Sequence, residues 1–201
     1  AGAVYARVAE LSGVLDCIVR QNRGDSPLVI DGVTLGPHSI YVGVLGGDDT
    51  AIAQAIYDSL SAGCDYNGDT SVVITDAVTG AKETVTFTRL VDLAVGVRVT
   101  VRKNALLPSD VVKRVQDAIL ADFYGEYVSA CDQQSLRVRA GEDLYASRFY
   151  PVILAQGVTQ LVSIEVAAPV GAGQTPAWGD YVHIRIDQAP QLARDNIAIT
   201  I

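Results

Sequence analysis

The sequence predicts an α+β fold of two small modules, each with a mixed or antiparallel sheet flanked by helices. Three observations lead there. Runs that alternate apolar and polar residues, the period of a half-buried strand, recur along the chain, as in VLDCIVRQN, SIYVGVL and GVRVTVRK. Helical spacing is confined to short stretches bounded by glycine or proline. With 201 residues, 49% of them hydrophobic, the chain has enough apolar mass for two small cores. A strand–loop–helix order occurs at 39 to 62 and again at 96 to 123, and a helix–Gly-Val–strand order recurs at 5 to 20 and 149 to 166. The boundary is therefore placed near residue 92, giving modules at 1–92 and 93–201.

Residues 4 to 11 form the first predicted helix, because Val4, Val8 and Leu11 share a face and Gly13 follows at a left-handed cap position. In the strand VLDCIVRQN, Leu15, Cys17 and Val19 alternate with Asp16, Ile18 and Arg20, which suits one face more buried than the other. RGDSP and DG then punctuate the chain with turns. The strand at 39 to 45 puts Ile40, Val42 and Val44 on one side and enters Gly46, Gly47, Asp48 and Asp49. Asp49 is the expected N-cap of a helix whose stripe is Ile52, Ile56 and Leu60. SVVIT at 71 to 75 and ETVTFTRL at 83 to 90 read as a hairpin turning near Thr79 and Gly80.

In the second module, the strand at 96 to 103 is followed by Pro108 and Ser109, which introduce a helix with core residues Val112, Val115, Ile119 and Phe123. A helix interrupted by Pro151 is expected over 142 to 156, ending at Gly157 before a strand in VTQLVSIEV. The Gly- and Pro-rich stretch 169 to 179 reads as an exposed loop, and YVHIRI and NIAITI as closing strands.

The formal charge of -8 argues against nucleic acid as a partner, since phosphate neutralisation needs clustered Lys and Arg. The densest basic group, Arg98, Arg102 and Lys103, fits the solvated face and end of a strand. Cys17, Cys64 and Cys131 are odd in number and lack metal-ligand spacing, which favours free thiols in a reducing compartment. No run has the length of a membrane span and the N-terminus has no signal-peptide pattern, so a soluble, cytoplasmically made protein is expected. The absence of methionine and the start at Ala1 predict a fragment, a processed product or an artificially cut piece.

No catalytic residues and no cofactor are predicted. His38 follows Pro37 at a strand start, and His183 shares a strand face with Tyr181, Arg185 and Asp187. Cys17 lies on an apolar face, as a core thiol does. The glycines of LGGDD lack the Walker lysine, and their two aspartates would repel an anion. One metal candidate stands out: Asp65, Asn67 and Asp69 have the alternate spacing of a calcium loop, with Asp76 at its twelfth position. Gly68 sits two positions before the place where that loop needs glycine, and a strand follows where a helix belongs. An Asx-rich turn with no metal is the favoured reading.

The run AVYARVAELSGVLDCIVRQN, then DG, then PHSIYVGVLGGDDTAIAQAIYDSLSAGCDYNGDT and ETVTFTRL, resembles the baseplate J-like proteins of contractile phage tails. The resemblance lies in the order: a helix ending in Gly-Val, a strand, a PHSI-like strand, a GG turn, a helix, and a strand ending in an aromatic and an arginine, here Phe87 and Arg89. It covers about the first 90 residues and loosens from 96 onward, where it rests on the strand and helix at 96 to 123, on AGEDLYASRFYPVILAQGV at 140 to 158 and on the alternating strands at the end. It implies a wedge component of a virion tail baseplate that works without catalysis, in a multi-subunit assembly with other baseplate and tail proteins. The family's acidic and arginine-rich upstream segment has no counterpart here. A component of a related bacterial contractile injection machine is an alternative, and the same chemistry would serve it. A small enzyme or ligand-binding protein is the rival, and a pocket gathering Asp65, Asp69, His38 or Cys17 would favour it.

Overall fold

The computed structural model of the chain describes residues 1–61, 63–129, 133–171 and 173–201. The fold is α+β, with mixed and antiparallel sheets. Two compact units divide it: Ala1–Val91 with Arg139–Gly141 and Arg185–Ala189, and Asp92–Val138 with Glu142–Ile184 and Pro190–Ile201.

The first unit begins with α1 (Gly2–Ala9) and β1 (Val14–Asn22). The hairpin of β2 (Leu28–Ile30) and β3 (Val33–Leu35) follows. Asp31 and Gly32 form its turn with φ of 51° and 82°, the two left-handed residues that a type I′ turn requires. β4 (Ser39–Gly46) leads into α2 (Asp49–Ser59), and β5 (Asp65–Asn67), β6 (Thr70–Thr75) and β7 (Lys82–Arg89) complete the unit's main sheet. Its strand order is β1-β4-β7-β6, with β5 against β4. β1 is antiparallel to β4 and β6 to β7, whereas β4 runs parallel to both β5 and β7.

Both faces of this sheet are covered, which corrects the expectation that β1 would bury one face more than the other. Cys17 and Val19 join Ile40, Val42, Val44, Val85 and Phe87 beneath α1 and α2. On the opposite face Ile18 and Tyr41 pack with Leu35 of the hairpin and with Ala140, Ile186 and Ala189 from the two later segments. Full burial of a side chain such as Phe87 is worth roughly 1.5–3 kcal/mol. The helix N-cap is Asp48 and not Asp49: its carboxylate accepts the Ala51 N–H at 2.9 Å, a contact worth about 1 kcal/mol. Asp49 is left in the first helical turn, where its charge meets the positive end of the helix.

The second unit holds most of β8 (Val91–Val101), a strand five residues longer at its start than the alternating run suggested. It lies between β10 (Leu161–Ala167) and β12 (Gln188–Thr200). Val95, Val97 and Val99 alternate into a core shared with α3 (Val111–Phe123), which contributes Val111, Val115, Ile119 and Phe123. The stripe is shifted from the expected one at its first position, where Val112 faces solvent. The helix expected over 142 to 156 is instead β9 (Leu144–Tyr145), a 3-10 turn (Ala146–Phe149) and α4 (Tyr150–Leu154). Pro151 falls in the first turn of α4, where its missing N–H costs no helical bond, so it starts the helix.

YVHIRI contributes only β11 (Tyr181–Val182), paired with β9. Its alternation persists beyond the ladder, since Val182, Ile184 and Ile186 are buried while Tyr181, His183 and Arg185 are not. The described part of the loop 169 to 179 is largely exposed, but its end is fastened. Gly179 and Val166 exchange backbone hydrogen bonds of 2.8 and 3.0 Å, and the Arg98 guanidinium stands 4.7 Å from the Trp178 ring. Arg98 also pairs with Glu165 across the ladder at 2.8 Å. Among the described residues no helix is long and apolar enough to cross a membrane.

Candidate functional site

The residues with chemical potential are dispersed. His38 adopts a left-handed conformation (φ 48°) just ahead of β4, and its Nε2 lies 2.7 Å from Asp25 Oδ1 at the surface. It shares the wall of an open cleft of about 350 Å³ with Asn22, Ser39, Leu60 and Cys64. Burial, with Asp65 adding to it, raises the Cys64 thiol pKa, so this sulfur is protonated at neutral pH and is a poor nucleophile. Cys17, the thiol singled out from the sequence, is elsewhere: it is buried under α1, with its Sγ 4.0 Å from the Tyr5 carbonyl. Burial pushes its pKa up to about 11, Asp16 adding to the rise and Arg139 opposing it. Cys131 lies outside the described residues. In the second unit the His183 Nδ1 is 2.7 Å from Asp143 Oδ1. Asp143 lines a separate cleft of about 250 Å³ with Glu142, Tyr145 and Arg148.

The four calcium-loop positions do not converge. Asn67 is a structural bridge: its Oδ1 accepts the Gly36 N–H and its Nδ2 donates to the Ile40 carbonyl, at 2.9 and 3.0 Å. Asp76 closes the β6–β7 turn, accepting from the Val78 and Thr79 N–H groups, the Thr79 hydroxyl and the Tyr57 hydroxyl. Those bonds hold its carboxyl at about 2, well below the usual range. Asp65 begins β5 and Asp69 precedes β6, both exposed. Among the described residues, no group of three or more His, Cys, Asp and Glu side chains is placed to hold a metal ion.

The LGGDD turn is built to receive a cation from within the chain. The guanidinium of Arg89, at the end of β7, donates to the Gly46 carbonyl, to the Gly47 carbonyl at 2.9 Å and to Asp49, and it stands 5.3 Å from the Phe87 ring. Carbonyl oxygens that converge on an arginine are the reverse of the N–H cradle that binds phosphate.

Two buried carboxylates had no motif to announce them. Asp16 on β1 accepts from Arg139 Nε at 3.4 Å and from the Ala140 N–H at 2.9 Å, while Arg139 also donates to the Tyr5 hydroxyl. Asp122 on α3 accepts from Arg148 Nε at 2.5 Å, and Arg148 also binds the carbonyls of Asp122 and Leu136. Each pair ties an irregular segment to regular structure, and neither partner was detectable from spacing.

Acidic residues are concentrated in one stretch of the chain. Residues 48–89 hold seven Asp and Glu against Lys82 and Arg89 alone, and so carry most of the chain's net charge. A cleft of about 560 Å³ in this region is walled by Tyr57, Asp58, Cys64, Asp65, Tyr66 and Glu83. On the second unit, Tyr145 and Tyr181 stack at 5.8 Å between centroids across β9 and β11, with half of each side chain in solvent. Compared with models of known protein families the chain matches none, and no curated protein matches it.

Proposed function

We propose that this chain is a structural part of a contractile-tail baseplate, a wedge component that acts through contacts with neighbouring polypeptides. The observation that carries the reading is the order of sequence signals in the first 90 residues, whose separate pieces meet in one device. The GG turn after the PHSI strand and the arginine that ends the ETVTFTR strand are clamped together through Arg89, Gly46, Gly47 and Asp49. A clamp of that kind makes a stiff module, which is what a subunit bearing load through its neighbours needs. Apolar side chains left in solvent supply contact area, such as Val73 and Val78 on the first unit and Leu106 and Leu136 on the second.

The test is co-expression of the protein with tail components, followed by isolation of assembled tails and electron microscopy. The reading expects it to be retained in the particles, with density for both units at the baseplate. Tails that assemble fully and hold none of it would overturn the reading.

A further inference from the structure

The strands at sheet margins in this chain differ in how they are protected. β1 has a bulge between Val14 and Asp16, carries Arg20, and receives the 139–141 segment through Asp16. β12 contains Pro190 and the charged pair Arg194 and Asp195, and β10 is bridged by Gly179. β6 has none of these devices. It ends the sheet path β1-β4-β7-β6, pairs only with β7 among the described residues, and reads TSVVIT, without proline, charge or bulge. Val72 and Ile74 turn toward the core under α2, while Val73 is 61% exposed. An unpaired strand margin of this kind offers a row of backbone donors and acceptors to any extended chain.

We infer that β6 is a docking edge, and that its occupant is an extended basic segment of another polypeptide that adds to the sheet as one more strand. The charge of the surroundings selects the partner. Asp69 and Asp76 flank the strand, Glu83 stands opposite Ile74 on β7, and Asp58 and Asp65 line the neighbouring cleft; over residues 58–83 of the sequence Lys82 is the one basic residue. A second copy of the chain is disfavoured by the same charges. Antiparallel pairing of Thr70–Thr75 with itself sets Asp69 of each copy against Asp76 of the other, a like-charge contact at both ends. A strand with lysine or arginine at its ends meets opposite charge there instead.

This inference rests on the assembly reading in expecting a polypeptide partner, and its test is independent of tail particles. The whole chain is titrated with a fluorescent synthetic peptide of alternating valine and threonine ended by lysines, with its glutamate-ended counterpart, and with a lysine-ended version N-methylated on alternate amides. The lysine peptide is expected to bind, to slow amide exchange in residues 70–75, and to weaken as salt rises. The glutamate and N-methylated peptides are expected to bind at least about tenfold more weakly. Val73→Lys, at an exposed site outside the core, is expected to leave the unfolding midpoint unchanged and to lower lysine-peptide affinity by about tenfold. Equal binding of the N-methylated peptide would reduce the effect to charge alone and overturn the docking edge. So would equal binding of the glutamate peptide, protection that falls outside 70–75, or a dimer of the chain whose β6 amides are already protected. Failure of every peptide while the protein still enters tails removes the β6 assignment alone; a bound peptide with a protein absent from tails removes only the baseplate reading.

Discussion

Asp16 and Ala140 stand 124 residues apart in the chain and meet through one hydrogen bond, in which Asp16 Oδ2 accepts the Ala140 N–H at 2.9 Å. The Asp16 side chain is only 3% exposed, and Arg139 beside it supplies the opposite charge. Through this contact a short later segment becomes part of the first unit's core, where Ala140 packs with Ile18 and Ile186.

Asp16→Ala is expected to cost about 2–4 kcal/mol, because it leaves a partly buried guanidinium without its carboxylate and a buried N–H without an acceptor. Asp16→Asn keeps an acceptor and is expected to cost less. Urea unfolding of the three proteins checks the order, and an alanine variant as stable as the parent would show the contact to be idle.

Asp76 sets a pH dependence whose sign follows from its low pKa. The folded carboxyl titrates at about 2, below its ordinary value of 3.8, so the unfolded chain takes up this proton first as the solution is acidified. The group's contribution to stability is therefore present above about pH 4 and is lost as pH falls through the folded pKa. Thermal unfolding of the parent is expected to show a decline in midpoint between about pH 4 and 2, and Asp76→Asn should flatten that part of the curve.

Two glycines with similar backbone angles should respond differently to alanine. Gly46 (φ 75°) sits where a methyl group would overlap the Gly13 carbonyl oxygen, whereas a methyl on Gly80 (φ 69°) meets nothing within 4 Å. Gly80→Ala carries the left-handed penalty alone, about 1–2 kcal/mol. Gly46→Ala adds a backbone collision and is expected to cost about 3 kcal/mol or more. Comparison of denaturant midpoints separates the two.

The thiols provide a fourth check. Cys64 is partly exposed and Cys17 is buried. With peptide mapping to assign the label, an alkylating reagent is expected to modify Cys64 in the folded protein well before Cys17. Modification of Cys17 should keep pace with unfolding as urea is raised, because its thiol is both inaccessible and held protonated.

Much of the local structure was legible in the sequence because period and punctuation are local properties. β1 has the limits that its alternation suggested, and Ile52, Ile56, Val85 and Phe87 lie where their spacing placed them. The β2–β3 hairpin was seen only as a DG turn, since three-residue strands are too short to show a period. The sequence suggests a helix over 142 to 156 interrupted by Pro151, but that proline starts the helix, and the segment before it is a strand and a 3-10 turn. The candidate site was less legible. Neither Asp16–Arg139 nor the shared cleft of His38 and Cys64 has a local signature, since both join residues from distant parts of the chain. The acidity of residues 48–89 was countable, but which strand margin it surrounds depended on the sheet order.

The first unit is discontinuous, and that has a consequence for its birth on the ribosome. Ile186 and Ala189 belong to the same cluster as Ile18 and Tyr41, and the Tyr41 hydroxyl donates to the Ile186 carbonyl at 3.3 Å. Synthesis proceeds from the N-terminus, so a nascent chain that has emerged as far as residue 92 still lacks one wall of its earliest core. That core closes only after synthesis has passed residue 189, and until then the apolar face around Tyr41 is open to chaperones or to mispairing.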